Sequence, residues 1–74
     1  MGRLSGFKHR EVVRRLKTFG FEFDRQGRGS HEIYVHRETR RQVPLVNHPK
    51  DYKEGTLRAI LREAGVDVEA FLKA

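Results

Sequence analysis

The sequence predicts an α+β fold, a two-layer α-β-β-β-α domain with two amphipathic helices over one face of a three-stranded antiparallel sheet. Three observations predict it. Apolar residues recur at helical spacing over 8–19 and again over 54–64. Between them lie three short stretches, 21–25, 30–36 and 41–46, separated by glycine or charged turns, that read as strands. The length, 74 residues, suits one domain over 1–74 with a modest core.

In the first helix Val12, Val13, Leu16 and Phe19 form the apolar stripe, and Arg10, Glu11, Arg14, Arg15 and Lys17 take the other face. His9 is in phase with the stripe. Ser5 is the expected N-cap, Gly20 the expected stop, and Glu11 and Arg15 are placed as an i,i+4 ion pair. The stretch Phe21-Glu22-Phe23-Asp24-Arg25 alternates like a strand. Gly27-Arg28-Gly29 reads as a hairpin turn, and a second strand runs from about Ser30 to His36. After the charged turn 37–40 a third strand spans 41–46. Pro44 cannot donate to a ladder, which places this strand at an edge. A loop over 47–53 leads to the second strong helix, with Leu57, Ile60, Leu61 and Ala64 on one side and Gly65 at its end. Asp67 can cap a short final turn, 68–73, that docks Phe71 and Leu72. This order of elements is also that of the double-stranded-RNA-binding domain, which by itself does not fix function.

Composition narrows the function. There is no cysteine, so disulfides and cysteine-based zinc sites are excluded. No run is apolar enough to span a membrane, and the first residues do not read as a signal peptide, so the cytoplasm is the expected compartment. Lys and Arg number 16 against 10 acids. Residues 1–41 hold 11 basic and 5 acidic side chains, and residues 42–74 hold 5 of each, so the whole excess of +6 lies in the first part. A one-sided basic field is the footprint of a polyanion site, most often nucleic acid. Solubility and salt bridging are the plain alternative.

The stretch Arg25-Gln26-Gly27-Arg28-Gly29-Ser30-His31 holds the parts that RNA cleavage without a metal needs. The 2′-hydroxyl must lose a proton, the leaving 5′-oxygen must gain one, and the phosphorane-like transition state needs positive charge. An imidazole such as His31 can serve either proton transfer. Arg25 and Arg28 are candidate phosphate contacts. Gly29 lets backbone N–H groups approach a phosphate, and Ser30 can bond the phosphate or orient the imidazole. The competing reading is a solvated loop histidine. Alternation also groups His31 with Ile33 and Val35. If those two face the helices, His31 points the same way unless it sits at the strand end or Gly29 starts an irregularity.

The remaining candidates weigh differently. His9 reads as a partly buried helix residue. His36 is a turn residue or a second proton-transfer group. His48 precedes Pro49 in a loop and is structural, exposed, or a completing member of the site. Four histidines invite zinc, but none has a recognised ligand spacing, so no metal is expected. The Arg10, Arg14 and Lys17 face is either a solvated helix face or a nucleic-acid groove. Tyr34 and Tyr52 could stack on bases, although packing is the commoner use.

Taken together, "GFEFDRQGRGSHEIYVHR" and "VPLVNHPKDYKEGTLRAILREAGV" resemble the HicA family of type II toxin–antitoxin systems. The resemblance rests on Gly20-Phe21, Gly29-Ser30-His31, Val43-Pro44 with His48 beyond, Gly55-Thr56-Leu57 and Ala64-Gly65, in order, over about 5–72. It implies a double-stranded-RNA-binding-like fold and a ribonuclease that cleaves mRNA without a cofactor. It also implies a catalytic role for His31 and a HicB-type antitoxin that covers the site. Three features depart from the family pattern. Glu32 stands where many members have a second histidine, the segment 7–10 is longer, and His48 lies further beyond Val43-Pro44. Two alternatives are a non-catalytic RNA-binding module on the same basic face, and an interaction domain for an acidic protein.

Overall fold

Helix α1 (His9–Thr18) begins after Lys8, not after Ser5. The computed structural model describes residues 3–47 and 50–74, and in it Ser5 lies in a preceding turn. Glu11 turns back to accept the Lys8 backbone N–H at 2.9 Å, so the cap comes from inside the helix. The expected Glu11–Arg15 pair is not formed. Arg15 instead donates to the carbonyls of Phe71, Leu72 and Ala74 at 2.8, 3.1 and 3.1 Å. Its guanidinium also lies 5.0 and 5.5 Å from the Phe7 and Phe71 rings. One arginine thus ties α1 to the negative backbone end of α3 (Val68–Lys73). Gly20, at φ +93°, ends α1 as expected.

Three strands follow: β1 (Phe21–Gln26), β2 (His31–His36) and β3 (Arg41–Val46), antiparallel and in that spatial order. Pro44 is therefore on an edge strand. The register decides which residues face the helices. Phe23 pairs with Tyr34 and Tyr34 with Val43, while Phe21 pairs with His36 and Glu32 with Leu45. Because Tyr34, Val43 and Leu45 are buried, that face is the inner one. The other face carries the pairs Arg25 with Ile33, Ile33 with Pro44, and His31 with Val46. A bulge between Phe23 and Arg25 moves Arg25 to this outer face. Ile33 and Val35 thus face away from the helices, and His31 goes with them. Tyr34 is the residue of β2 that joins the core cluster under the helices, while Val35 is buried on the outer face.

Helix α2 (Glu54–Ala64) stops at Gly65, φ +73°. There the Arg41 guanidinium packs so closely that a Cβ would lie 2.8 Å from its Cζ, and Arg41 donates to the Glu63 carbonyl at 3.0 Å. Asp67 caps α3 by accepting the Ala70 N–H at 3.2 Å. Val12 and Leu16 from α1 meet Leu57 and Leu61 from α2 and Phe71 from α3 over the inner face of the sheet, all fully or almost fully buried. Burying a side chain of this kind stabilises by roughly 1.5–3 kcal/mol. Among the described residues, no helix is long and apolar enough to cross a membrane.

Candidate active site at the glycine turn

The β1–β2 connection is built around His31. The His31 backbone N–H donates to the Arg28 carbonyl at 2.9 Å, and the Gly27 N–H donates to the His31 carbonyl at 2.8 Å. The Gln26 side-chain amide donates to the same His31 carbonyl at 2.7 Å and to the Gly29 carbonyl at 3.2 Å. Gly29 takes φ +53°, a left-handed conformation that costs a residue with a Cβ. From the other side, Asn47 N–H donates to the Ser30 carbonyl at 2.8 Å, pinning the turn to the end of β3. The backbone of His31 is held from two strands, while its side chain stays exposed.

The imidazole has a defined polarity. Its Nδ1 lies 3.1 Å from the Arg28 carbonyl. A carbonyl can only accept, so that contact requires a proton on Nδ1. Nε2 is then the nitrogen that gains or loses a proton, and it faces away from the turn. This arrangement suits proton transfer to a substrate held on the outer face.

The charged candidates divide. Arg28 is exposed at the turn tip, and no side-chain partner engages it among the described residues. The backbone N–H groups of Gly29 and Ser30 likewise have no acceptor among the described residues. Arg25 shares the outer face with His31, but its guanidinium is engaged by Asp24 and reaches Gln42 at 3.4 Å. Two guanidinium groups flank the turn, and only that of Arg28 is free for an incoming anion.

Behind the turn lies a carboxylate hub that no spacing in the chain foretells. Glu32 points inward. It contacts His9 Nε2 at 2.9 Å and accepts from the Tyr34 hydroxyl at 3.1 Å and from Asn47 Nδ2 at 3.0 Å. Burial alone would raise its pKa. Hydrogen bonds from Asn47 and Tyr34, with His9 beside them, outweigh that and hold the carboxyl below its usual range. Burial, then the hydrogen bond to Glu32 and the Glu32 charge, push the Tyr34 phenol up to about 12. Glu32 and the segment 7–10 are therefore partners, joined through His9. An acid next to His31 in sequence does not share its outer face, because alternation turns it under the sheet.

His36 stands at the far end of β2, about 16 Å along the strand from His31. Its Nδ1 accepts the Thr39 N–H at 3.2 Å, and its ring packs edge-on to Phe21 at 5.3 Å. It anchors a turn and does not join the His31 site. His48, the other site candidate, lies outside the described residues. Tyr34 and Tyr52 are both buried and unavailable for stacking. No three His, Asp or Glu side chains converge to hold a metal ion among the described residues. Sequence reading missed Gln26 as the clamp of the turn, and no spacing rule would have singled it out.

The fold and the turn together define a class: a small basic α+β protein presenting an outward imidazole on a glycine turn. The family model described as the HicA toxin of bacterial toxin–antitoxin systems matches residues 9–66, from the start of α1 to just past α2. The chain belongs to the HicA toxin family, which makes it the toxin of a toxin–antitoxin pair with an antitoxin as its partner. A search of curated proteins gave no match.

Proposed function

We propose that this toxin is an endoribonuclease that cleaves mRNA at the β1–β2 turn, with His31 as its catalytic residue. The observation that carries the reading is the side chain of His31. It is exposed, fixed through Nδ1 to the Arg28 carbonyl, and follows directly on a turn that carries a free guanidinium and two free backbone N–H groups. Membership of a family that is generally a ribonuclease toxin supports it.

In this reaction a base removes the 2′-hydroxyl proton and O2′ attacks the adjacent phosphorus. The bond from phosphorus to O5′ breaks, and O5′ takes up a proton. The products are a 2′,3′-cyclic phosphate and a 5′-hydroxyl end. His31 Nε2 carries one of the two proton transfers. Arg28 and the N–H groups of Gly29 and Ser30 stabilise the extra charge on the phosphorane, and the Ser30 hydroxyl holds a non-bridging oxygen. Arg25 joins them by releasing Asp24 and Gln42. His31 supplies one proton transfer, solvent water the other, and Arg28 with the N–H groups the charge, so the proposed reaction uses no metal or other cofactor. The partner is a HicB-type antitoxin that covers the His31 face, and the work is done in the cytoplasm, where mRNA is.

The test is induction of the wild-type chain and of His31→Ala in a bacterial host, reading growth and mRNA integrity together. Arrest with fragmented mRNA in the wild type alone is the expected result. Equal arrest and fragmentation with His31→Ala would remove His31 from the mechanism. Binding of RNA without cleavage by the wild type would favour the RNA-binding module.

A further inference from the structure

A second basic feature lies on the inner side of the sheet, away from the His31 imidazole. A groove of about 310 Å³ runs between α1 and the sheet, lined by His9, Arg10, Val13, Arg14, Lys17 and Tyr34. Arg10, Arg14 and Lys17 form one exposed stripe of α1 and make no hydrogen bond or ion pair among the described residues. Like charges at i,i+4, as at Arg10 and Arg14, oppose the helix that carries them. An anion in the groove would relieve that repulsion. Beside it stands Phe23, the exposed large hydrophobic residue among those described, at 49%. Its ring packs edge-on to Tyr34, with centroids 5.7 Å apart.

The direction of the groove matters as much as its charge. At its N-terminal end His9 meets Glu32, the residue that follows His31 in β2. A strand lying along α1 from Lys17 to Arg10 is therefore led toward the Arg28 turn and the start of β2. We propose that this groove is a track for single-stranded RNA, with Arg10, Arg14 and Lys17 on its phosphates and one unpaired base stacked on Phe23; the proposal rests on the ribonuclease reading of the same chain. A lone aromatic among unpaired cations suits a strand whose bases are free to stack. A protein partner would call for a contiguous apolar centre, and Phe23 stands without one.

The probe is a short single-stranded RNA carrying 2′-O-methyl riboses, which has no attacking hydroxyl and stays intact on the wild-type protein. Affinity is measured by fluorescence anisotropy across a salt series. Loss of the ring in Phe23→Ala is expected to weaken binding by about 5- to 150-fold, with Phe23→Tyr close to the wild type. The Arg10→Gln/Arg14→Gln double variant is expected to flatten the log–log salt slope by about 1.4, the loss of two phosphate contacts. A duplex of the same sequence is expected to bind more weakly than the single strand and to be indifferent to Phe23.

Wild-type affinity in both variants, both shown to be folded, would overturn the track. Tighter binding of an oligoglutamate peptide than of the RNA would overturn it in favour of an acidic protein surface. Cleavage of ordinary RNA by His31→Ala is a separate failure: it would sink the active-site assignment and leave this binding readout untouched.

Discussion

At the scale of single residues, the turn separates groups that hold shape from groups that face solvent. Gly29 needs its left-handed backbone, and nothing lies within 4 Å of the Cβ it lacks. Gly29→Ala should therefore cost about 1 kcal/mol in urea unfolding, through strain alone. Gly27 is the reverse case. A Cβ there would lie 3.3 Å from the His31 Cβ and 3.4 Å from the His31 carbonyl oxygen, so it presses on the candidate catalytic residue directly. Gly27→Ala is expected to lower the rate of RNA cleavage more than Gly29→Ala does. The opposite order would mean that the position of His31 is not what limits the reaction. The sequence pointed to His31, Arg28, Gly29 and Ser30 as neighbours because they are neighbours in the chain. It did not show that Gln42 meets Arg25, which depends on register across strands, or that Asp24 engages Arg25 and Gln26 clamps the turn, which depend on the bulge in β1 and the path of the turn.

At the scale of elements, local signals were enough wherever the deciding groups are local. The span 41–46 for β3 and 54–64 for α2, the stop at Gly65 and the Asp67 cap all follow from residues within one turn of the boundary. Two readings of α1 failed: the Ser5 cap, and the Glu11–Arg15 pair, whose arginine goes to the end of α3 instead. Ser5 was displaced as the N-cap by Glu11 acting from inside α1. The inner face of β2 went to Tyr34 because its partners Phe23 and Val43 lie on other strands. Alternation says which residues share a face, and only pairing says which face is covered. The Glu32 hub joins α1, β2 and the end of β3, so its loss should be felt between elements. Its carboxyl binds a proton less readily folded than unfolded. The unfolded chain therefore carries the extra proton, and stability rises with pH through the carboxylate range. That contribution is complete above the unfolded value near ~4.3 and is lost as pH falls through the lower folded one. Glu32→Gln is expected to lose about 1–3 kcal/mol at neutral pH and to show a shallower fall in urea midpoint on acidification. A slope equal to that of the wild type would mean the hub is not coupled to folding.

At the scale of the whole molecule, one core layer holds a sheet whose outer face carries His31 and Arg25 and whose inner side borders a basic groove. Both tyrosines of the chain lie in that core, and burial, with the Glu32 charge, pushes each phenol up to about 12. Raised values mean that the folded state holds these protons more tightly. Their contribution is whole below the unfolded value near ~10 and is lost as pH rises through about 12. Alkaline titration should show no phenolate absorbance near pH ~10.5 while circular dichroism is native, and full phenolate in urea. Ionisation of one tyrosine near ~10 in the folded chain would contradict the packing described for it. The charge is uneven, +6 in residues 1–41 and zero in 42–74, and the excess includes Arg28 on the turn and the exposed Arg10, Arg14 and Lys17 of α1. The most direct test of the central claim is cleavage of an mRNA by the purified chain in excess EDTA, wild type beside His31→Ala, with the product ends identified. The account predicts fragments with 5′-hydroxyl ends from the wild type and intact RNA from a folded His31→Ala. Cleavage by both chains, or by the wild type only after a divalent metal is restored, would contradict it.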